Sequence, residues 1–190
     1  MVTIGQNEPM TFRVLMVCTG NICRSTMAQQ VLQEQVDAAG LDVAVDSAGI
    51  SNEEQGNRID PRAEQVLREF GHGVPDHRAR RIGKRELADS DLVLAMTRYH
   101  MDNLRMLAAR QGQTPEVDAP IGDSTAVDLR MYRAFDPDVP GVDGTDGVGR
   151  TDLDVPDPWY GGHEDFVETL QTIERVTPAI VDHIAAKLRP

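Results

Sequence analysis

The chain has 190 residues, 40% of them hydrophobic, and sets 19 Lys and Arg against 31 Asp and Glu for a formal charge of −12. That length suits a single domain, and the apolar content argues against global disorder. The acidic balance excludes broad tracking of a nucleic-acid backbone or an anionic membrane, while leaving room for a local anion pocket.

The start, MVTIGQNEPM, has neither a basic n-region nor an apolar h-region, so no secretory signal is expected and residues 1–11 are read as a flexible lead. No run of about 18 apolar residues occurs, so no transmembrane helix is expected. The two cysteines, Cys18 and Cys23, make no disulfide framework and fit a reducing compartment, with the cytoplasm as the expected location.

The first predicted element is Phe12 to Val17, FRVLMV, a nearly continuous apolar run suited to a buried parallel strand. A Gly/Asn turn follows. From Ser25 the pattern turns helical, with Met27, Val31, Leu32 and Val36 on one face and Gly40 as a stop. LDVAVDSAG (41–49) reads as a second strand. Asp60-Pro61 opens another helix with Ala63, Val66, Leu67 and Phe70 on its apolar face. SDLVLAMT (90–97) reads as a third strand, YHMDNLRMLAAR (99–110) as a helix, and PEVDA (115–119) as a short edge strand. HEDFVETL to IAAKLRP (163–190) reads as one long or two short amphipathic helices. Strands alternating with helices predict an α/β domain with a parallel sheet and helices on both faces. Residues 136–162, rich in Asp, Gly and Pro and ending in DPWYGG, read as a long loop that walls an active site rather than forming the core.

The turn VCTGNICRST (17–26) carries the chemistry. In open α/β sheets ligands bind at the carboxyl ends of strands, which is where Cys18 falls. The backbone N–H groups of such a turn and the N-terminus of the following helix make an anion cradle, and the same field favours a thiolate over a thiol. Arg24 offers a planar fork that matches two phosphoryl oxygens. Gly20 permits close backbone approach, and Asn21 tolerates a left-handed conformation. A buried inert cysteine beside a surface arginine is the bland alternative for a bare Cys-x5-Arg. Strand, Gly, Asn, Arg-Ser and helix together favour a nucleophilic thiolate in a phosphate-sized cup.

These residues resemble the phosphate loop of low-molecular-weight protein tyrosine phosphatases. VCTGNICRS followed by Met27-Ala28 matches, and so, in order, do DSAG (46–49), DPRA (60–63), DHRAR (76–80) and DPWYG (157–161). The resemblance spans about Phe12 to Leu188. It implies one three-layer domain over residues 1–190, a four-stranded parallel sheet between helices with the phosphate loop after strand one. It implies hydrolysis of protein phosphotyrosine through a phosphocysteine intermediate, with Cys18 as nucleophile and Asp157 as general acid. Thr19, Gly20, Asn21, Ile22, Cys23 and Arg24 would bind phosphate. Ser25 would support the thiolate, and Asn21, Ser25, Ser47 and His77 would brace the loop. Trp159 and Tyr160 would wall an aryl pocket, and Cys23 would form a reversible disulfide with Cys18. The nearby acids Asp136, Asp152 and Asp154 lack following aromatics and are read mostly as solvated.

Three positions depart from the family pattern. Glu53 stands where many relatives carry a Trp, Thr26 where many carry Pro, and Thr97 where many carry Asp. The lost aromatic keeps a protein arginine phosphatase as an alternative, although such relatives carry Thr at the position of Ile22. A thiol-dependent arsenate reductase would need a further cysteine after Cys23, and none exists. A module that only binds phosphate would need neither the thiol nor Asp157. No zinc spacing, calcium loop or Gly-Lys-Ser/Thr motif is present, so no metal and no cofactor are expected. The expected partner is a phosphotyrosine-bearing protein, not nucleic acid or membrane, met by a monomer or weak dimer.

Overall fold

The apolar run at the start becomes the central strand. In the computed structural model, which describes residues 11–142, 150 and 152–189, β1 spans Phe12–Cys18 and is buried at every position but Arg13. The segment 1–10 and residues 143–149 and 151 of the Asp/Gly-rich stretch lie outside the described residues. β1 is flanked in parallel register by β2 (Val43–Gly49) and β3 (Leu92–Ala95), and β3 pairs with β6 (Leu129–Met131), giving the order β2-β1-β3-β6. A parallel sheet covered on both faces needs strands apolar on both sides, and LVLA of β3 is buried throughout.

The fourth sheet strand is therefore not PEVDA. Thr114–Pro115 (β4) pairs instead with Ala126–Val127 (β5) in a separate two-stranded ribbon. β6 escaped the sequence reading because LRM is short and carries a fully buried Arg130, whose guanidinium is neutralised by Asp128 and Asp118 at 2.7 and 2.6 Å.

Helices close both faces. On one lie α1 (Arg24–Ala38), α2 (Pro61–Glu69) and α4 (His163–Lys187), which share one core with β1. On the other lies α3 (Arg98–Gln111), which buries Met101, Leu104 and Ala108 against Leu15, Val17 and Val93. α2 starts as its sequence directs: Asp60 accepts the Arg62 N–H at 2.8 Å and Pro61 fills the first turn. Phe70, expected on its buried face, sits at the helix end and is 40% exposed. The C-terminal segment is one helix that runs through Pro178, burying Phe166, Leu170, Ile173, Val176, Ile180 and Ile184.

The Asp/Gly-rich stretch corrects a second expectation. Its described ends contribute to the core: Val139, Leu153 and Val155 are buried, and Val155 N–H donates to Met96 O at 2.8 Å. Asp136 is not solvated. It is fully buried between Arg133 and Arg175, which donate at 2.8 Å and hold its carboxyl at about 2 although burial alone would raise it.

Candidate active site

Cys18 ends β1 at the carboxyl edge of the sheet, directly beside Gly49 of β2. The turn that follows is held by its carbonyls. Cys18 O accepts from Ile50 N–H, Thr19 O from Ser51 N–H, Ile22 O from Asp60 N–H, and Cys23 O from Met27 N–H and the Thr26 hydroxyl. Asn21 O accepts from His77 Nε2 at 2.6 Å. In a trans peptide the N–H points opposite the C=O, so carbonyls tied outward leave the amides facing inward. Asn21 N–H donates to Cys18 Sγ at 3.2 Å. A side chain at Gly49 would collide with Thr19 O, so the DSAG glycine lets the strand end approach the turn.

Asn21 is the hub. Its φ of 60° places it in the left-handed region, a strained conformation for a residue with a side chain. The strain is over-determined by bonds. Asn21 Nδ2 donates to Ser25 Oγ at 3.0 Å and to Ser47 Oγ at 2.9 Å, while Oδ1 accepts from Arg80 N–H at 3.0 Å. Ser25 Oγ in turn lies 3.0 Å from Cys18 Sγ. The Ser47 hydroxyl in turn donates to Gln29 Oε1 at 2.6 Å. His77 is pushed below its ordinary pKa by burial, though the Asn21 carbonyl pulls the other way, so a neutral ring donates its Nε2–H.

Cys18, Asn21, Arg24 and Ser25 are all buried, Arg24 being only 5% exposed. Arg24 leads α1 and turns back over the cup. Its Nη2 donates to Asp157 Oδ2 at 2.6 Å and its Nη1 lies 3.5 Å from Val155 O. Asp157 is half-exposed, at the lip. Thr19, Gly20, Ile22, Cys23 and Arg24 join Cys18 in a pocket of about 210 Å³ whose mouth carries Glu53, Asp157, Trp159 and Tyr160. Trp159 is partly covered, whereas Tyr160 is 96% exposed and makes a rim rather than a wall. Cys23 is buried beside Asp60. Burial first, then the Asp60 charge, push its thiol far up, so it is held protonated.

Four residues that shape this site carried no periodic signal. Glu54 shares the mouth with Glu53, and its Cγ lies where a side chain at Gly20 would fall. Arg62 donates to Asp60, to Trp159 O at 3.2 Å and to Gly161 O at 3.1 Å, and its guanidinium covers the Trp159 and Phe166 rings. Its position inside DPRA was the available clue. Gln29 supports Ser47 from α1. His100 bridges Thr19 Oγ1 at 2.9 Å and Thr97 Oγ1 at 2.8 Å, and burial with the nearby Arg24 charge pushes its pKa down to about 3. A neutral imidazole thus ties Thr97 to the turn.

Comparison with known proteins bears on this arrangement. Residues 13–117 match the model of the low molecular weight phosphotyrosine protein phosphatase family. The chain is 39% identical over 174 residues to a low molecular weight protein-tyrosine-phosphatase of Streptomyces coelicolor, covering 90% of this chain and 93% of that one. This chain belongs to the low-molecular-weight protein tyrosine phosphatase family. It is also 40% identical over 178 residues to protein-tyrosine phosphatase A of Mycobacterium tuberculosis, covering 92% of this chain and 93% of that protein. The fold of this phosphatase is shared with the arginine phosphatase YwlE of Bacillus subtilis, at a TM-score of 0.71 and 23% identity, over 94% of this chain and 99% of that one. As a member of this family the chain is a cysteine-dependent phosphatase. No helix among the described residues is long and apolar enough to cross a membrane.

Proposed function

We propose that the enzyme hydrolyses phosphotyrosine on protein substrates through a phosphocysteine intermediate. One observation carries this reading: the Cys18 sulfur sits within reach of the Ser25 hydroxyl and the Asn21 amide, inside a cup that Arg24 closes and Asp157 overhangs.

The dianionic phosphoryl group enters the cup, where the inward amides of residues 19–24 and the Arg24 fork hold its three non-bridging oxygens. Arg24 is committed to Asp157, so the phosphoryl group must share or displace that ion pair. Cys18 thiolate attacks phosphorus in line as the bond to the phenolic oxygen breaks. Asp157, protonated at this step, gives its proton to the departing oxygen. The Ser25 hydroxyl supports the sulfur as thiolate before attack and as leaving group afterwards. Asp157, now a carboxylate, takes a proton from water as that water attacks the phosphocysteine and returns the thiolate and inorganic phosphate. The Trp159 face, steadied by Arg62, would flank the aryl ring.

A second reading, a protein arginine phosphatase, draws on Glu53 and Glu54 at the mouth. Two carboxylates suit a guanidinium better than an aromatic ring flanked by acidic residues. The branched Ile22 in the loop favours tyrosine. Steady-state hydrolysis of phosphotyrosine and phosphoarginine peptides, with p-nitrophenyl phosphate as reference, decides between them. Preference for phosphotyrosine supports the first reading. Preference for phosphoarginine keeps the chemistry and moves the substrate.

The two cysteines also support redox control. Cys18 would be oxidised to a sulfenic acid by peroxide, and the Cys23 sulfur would displace water from it to close a disulfide. The high pKa direction of Cys23 makes it the resolving thiol rather than the first oxidised. Peroxide inactivation that dithiothreitol reverses in wild type but not in Cys23→Ala is the expected result. Action in the cytoplasm, on protein substrates, fits a chain with two free thiols.

A further inference from the structure

We propose that a groove along α3 docks an acidic segment of the protein substrate that carries apolar anchor residues, outside the phosphotyrosine cup. The proposal rests on the phosphatase reading of the cup for its substrate, and on separate observations for the groove.

The groove has an apolar floor. Ile50, Ile82, Met106 and Leu107 line a cavity of about 390 Å³, and Met106 is 51% exposed although it is a large hydrophobic side chain. A second cavity of about 560 Å³ shares Leu107, Lys84 and Arg110 with it, so the two run together along the helix. That length suits a stretch of chain rather than one side chain.

The rim is basic. Arg81, Lys84 and Arg110 stand around the floor, and no carboxylate lines either cavity. This is unusual in a chain with 31 acidic and 19 basic residues. Many arginines elsewhere are neutralised, among them Arg24, Arg62, Arg68, Arg80, Arg133 and Arg175, which all hold carboxylates. Among the described residues Arg81, Lys84 and Arg110 form no ion pair. The nearby acids are engaged elsewhere, Glu86 with Arg80 and the Gly83 N–H, and Asp102 with Arg98.

A third observation points to a peptide. Gln113 is 6% exposed, and its Oε1 has no hydrogen-bond partner, as is also true of Gln111 Nε2. Both residues line the second cavity. Buried polar atoms are normally satisfied; both atoms are closed off as they stand, and side chains turned toward the cavity they line would offer an acceptor and a donor to an incoming N–H and C=O. A peptide backbone offers that pair at every residue. Apolar anchors would fill the floor, backbone groups would meet the glutamines, and carboxylates would meet the rim.

The groove and the cup are linked through the backbone. Ile50 N–H donates to Cys18 O at 3.0 Å, and Ile82 N–H donates to Gly49 O at 2.8 Å. One substrate chain would place its phosphorylated side chain in the cup and a flanking segment against α3. The charges of the two places differ, acidic at the mouth and basic along the helix. That difference would select substrates whose carboxylates lie away from the phosphorylated residue.

The test compares two phosphotyrosine peptides with the same core, one extended by a Leu- and Glu-containing tail and one by a neutral tail of equal length. Wild type and the double variant Lys84→Glu/Arg110→Glu are assayed with both and with p-nitrophenyl phosphate. The acidic tail is expected to lower KM roughly tenfold in wild type, the double variant to erase that advantage, and the small substrate to be cleaved equally by both enzymes. An acidic tail without advantage, or a variant that slows both peptides alike, overturns the proposal. Calorimetry with the unphosphorylated acidic tail separates the two readings. If the tail binds wild type and not the variant while nothing is turned over, the groove stands and the phosphatase reading falls. If p-nitrophenyl phosphate is cleaved while the tail neither binds nor lowers KM, the phosphatase stands and the groove falls. Self-association, or attachment to phosphatidylserine vesicles, that depends on Lys84 and Arg110 in place of tail binding also overturns it.

Discussion

Two regions meet at the active site, and they are built in opposite ways. The turn from Cys18 to Ser25 is short, buried and held at nearly every peptide, with Asn21 locked in a left-handed conformation by its side-chain and carbonyl bonds. The stretch from Asp136 to Gly162 is long and rich in Asp and Gly, and its described residues are held from distant elements, through the buried Asp136 ion pairs, the Arg98 and Arg133 bonds to Arg150, Asp152 and Asp154, the buried Leu153 and Val155, and the Arg62 bonds to Trp159 and Gly161. In the proposed mechanism the first region presents amides to a phosphoryl group with little error, because preorganised dipoles act best when they need no rearrangement. In the same mechanism the second carries an acid that meets both a leaving group and a water, and Asp157 sits half-exposed with Arg24 as its partner. The cup is buried, and the acid stands at its lip.

Removing the nucleophile should break this division most severely. Cys18→Ser is expected to lower kcat roughly 10⁴-fold or more on p-nitrophenyl phosphate, since a serine hydroxyl here has no base to activate it. Vanadate or phosphate should still bind, measured by protection against thermal unfolding. Asp157→Ala should lower kcat by roughly 10²- to 10³-fold on a phenolic ester with a poor leaving group, and much less on one with a good leaving group. The same variant should bind oxyanions at least as tightly, because Arg24 loses its competing carboxylate.

Leu153→Ala tests whether the second region depends on its pinned ends. This fully buried residue shares its core with β3 and α3, and truncation should cost about 2–5 kcal/mol in chemical denaturation. Arg62→Ala should leave p-nitrophenyl phosphate turnover within about threefold and raise KM for a phosphotyrosine peptide more strongly, as the Trp159 turn loosens. Equal effects on both substrates would contradict the positioning role.

The smallest effect lies away from the site. His72 bridges Glu34 at 2.6 Å and Glu174 at 3.0 Å. Burial opposes its charge, but the two carboxylates outweigh burial and hold its pKa above the ordinary 6.5. Glu34 is likewise pushed up by burial, yet its bond to His72 leaves it below 4.5. A raised histidine contributes fully below its unfolded pKa and loses that contribution as pH rises through the folded one. A depressed Glu34 loses its share as pH falls through its folded pKa. The stability of wild type over His72→Gln should therefore peak near about pH 5.5 and shrink on both sides, as read by melting temperature across pH.

Much of this was legible in the sequence, for physical reasons. FRVLMV and LVLA announce buried strands because parallel strands are apolar on both faces, and Asp60-Pro61 announces a helix start because its cap and first turn are local. The cup was legible because its requirements are local too: a strand end, a glycine, a left-handed Asn and an Arg at a helix start. What escaped depends on partners distant in the chain. Arg130 hides in the fourth strand because its charge is cancelled by Asp118 and Asp128. Asp136 looked solvated because Arg175, which helps bury it, lies in another element. His100 gave no sign of touching Thr19, since that contact joins α3 to the turn across 81 positions. Composition suggested a loop for residues 136–162 but could not show that single apolar residues within it reach the core.

The central claim is that Cys18 carries the phosphoryl group between two half-reactions. Rapid quenching of Asp157→Ala with a phosphotyrosine peptide, followed by mass spectrometry of the peptide that contains Cys18, tests it most directly. A phosphoryl adduct on Cys18 that forms and decays at rates matching turnover is the predicted result. Turnover with no adduct on Cys18, or with the adduct on another residue, would contradict it.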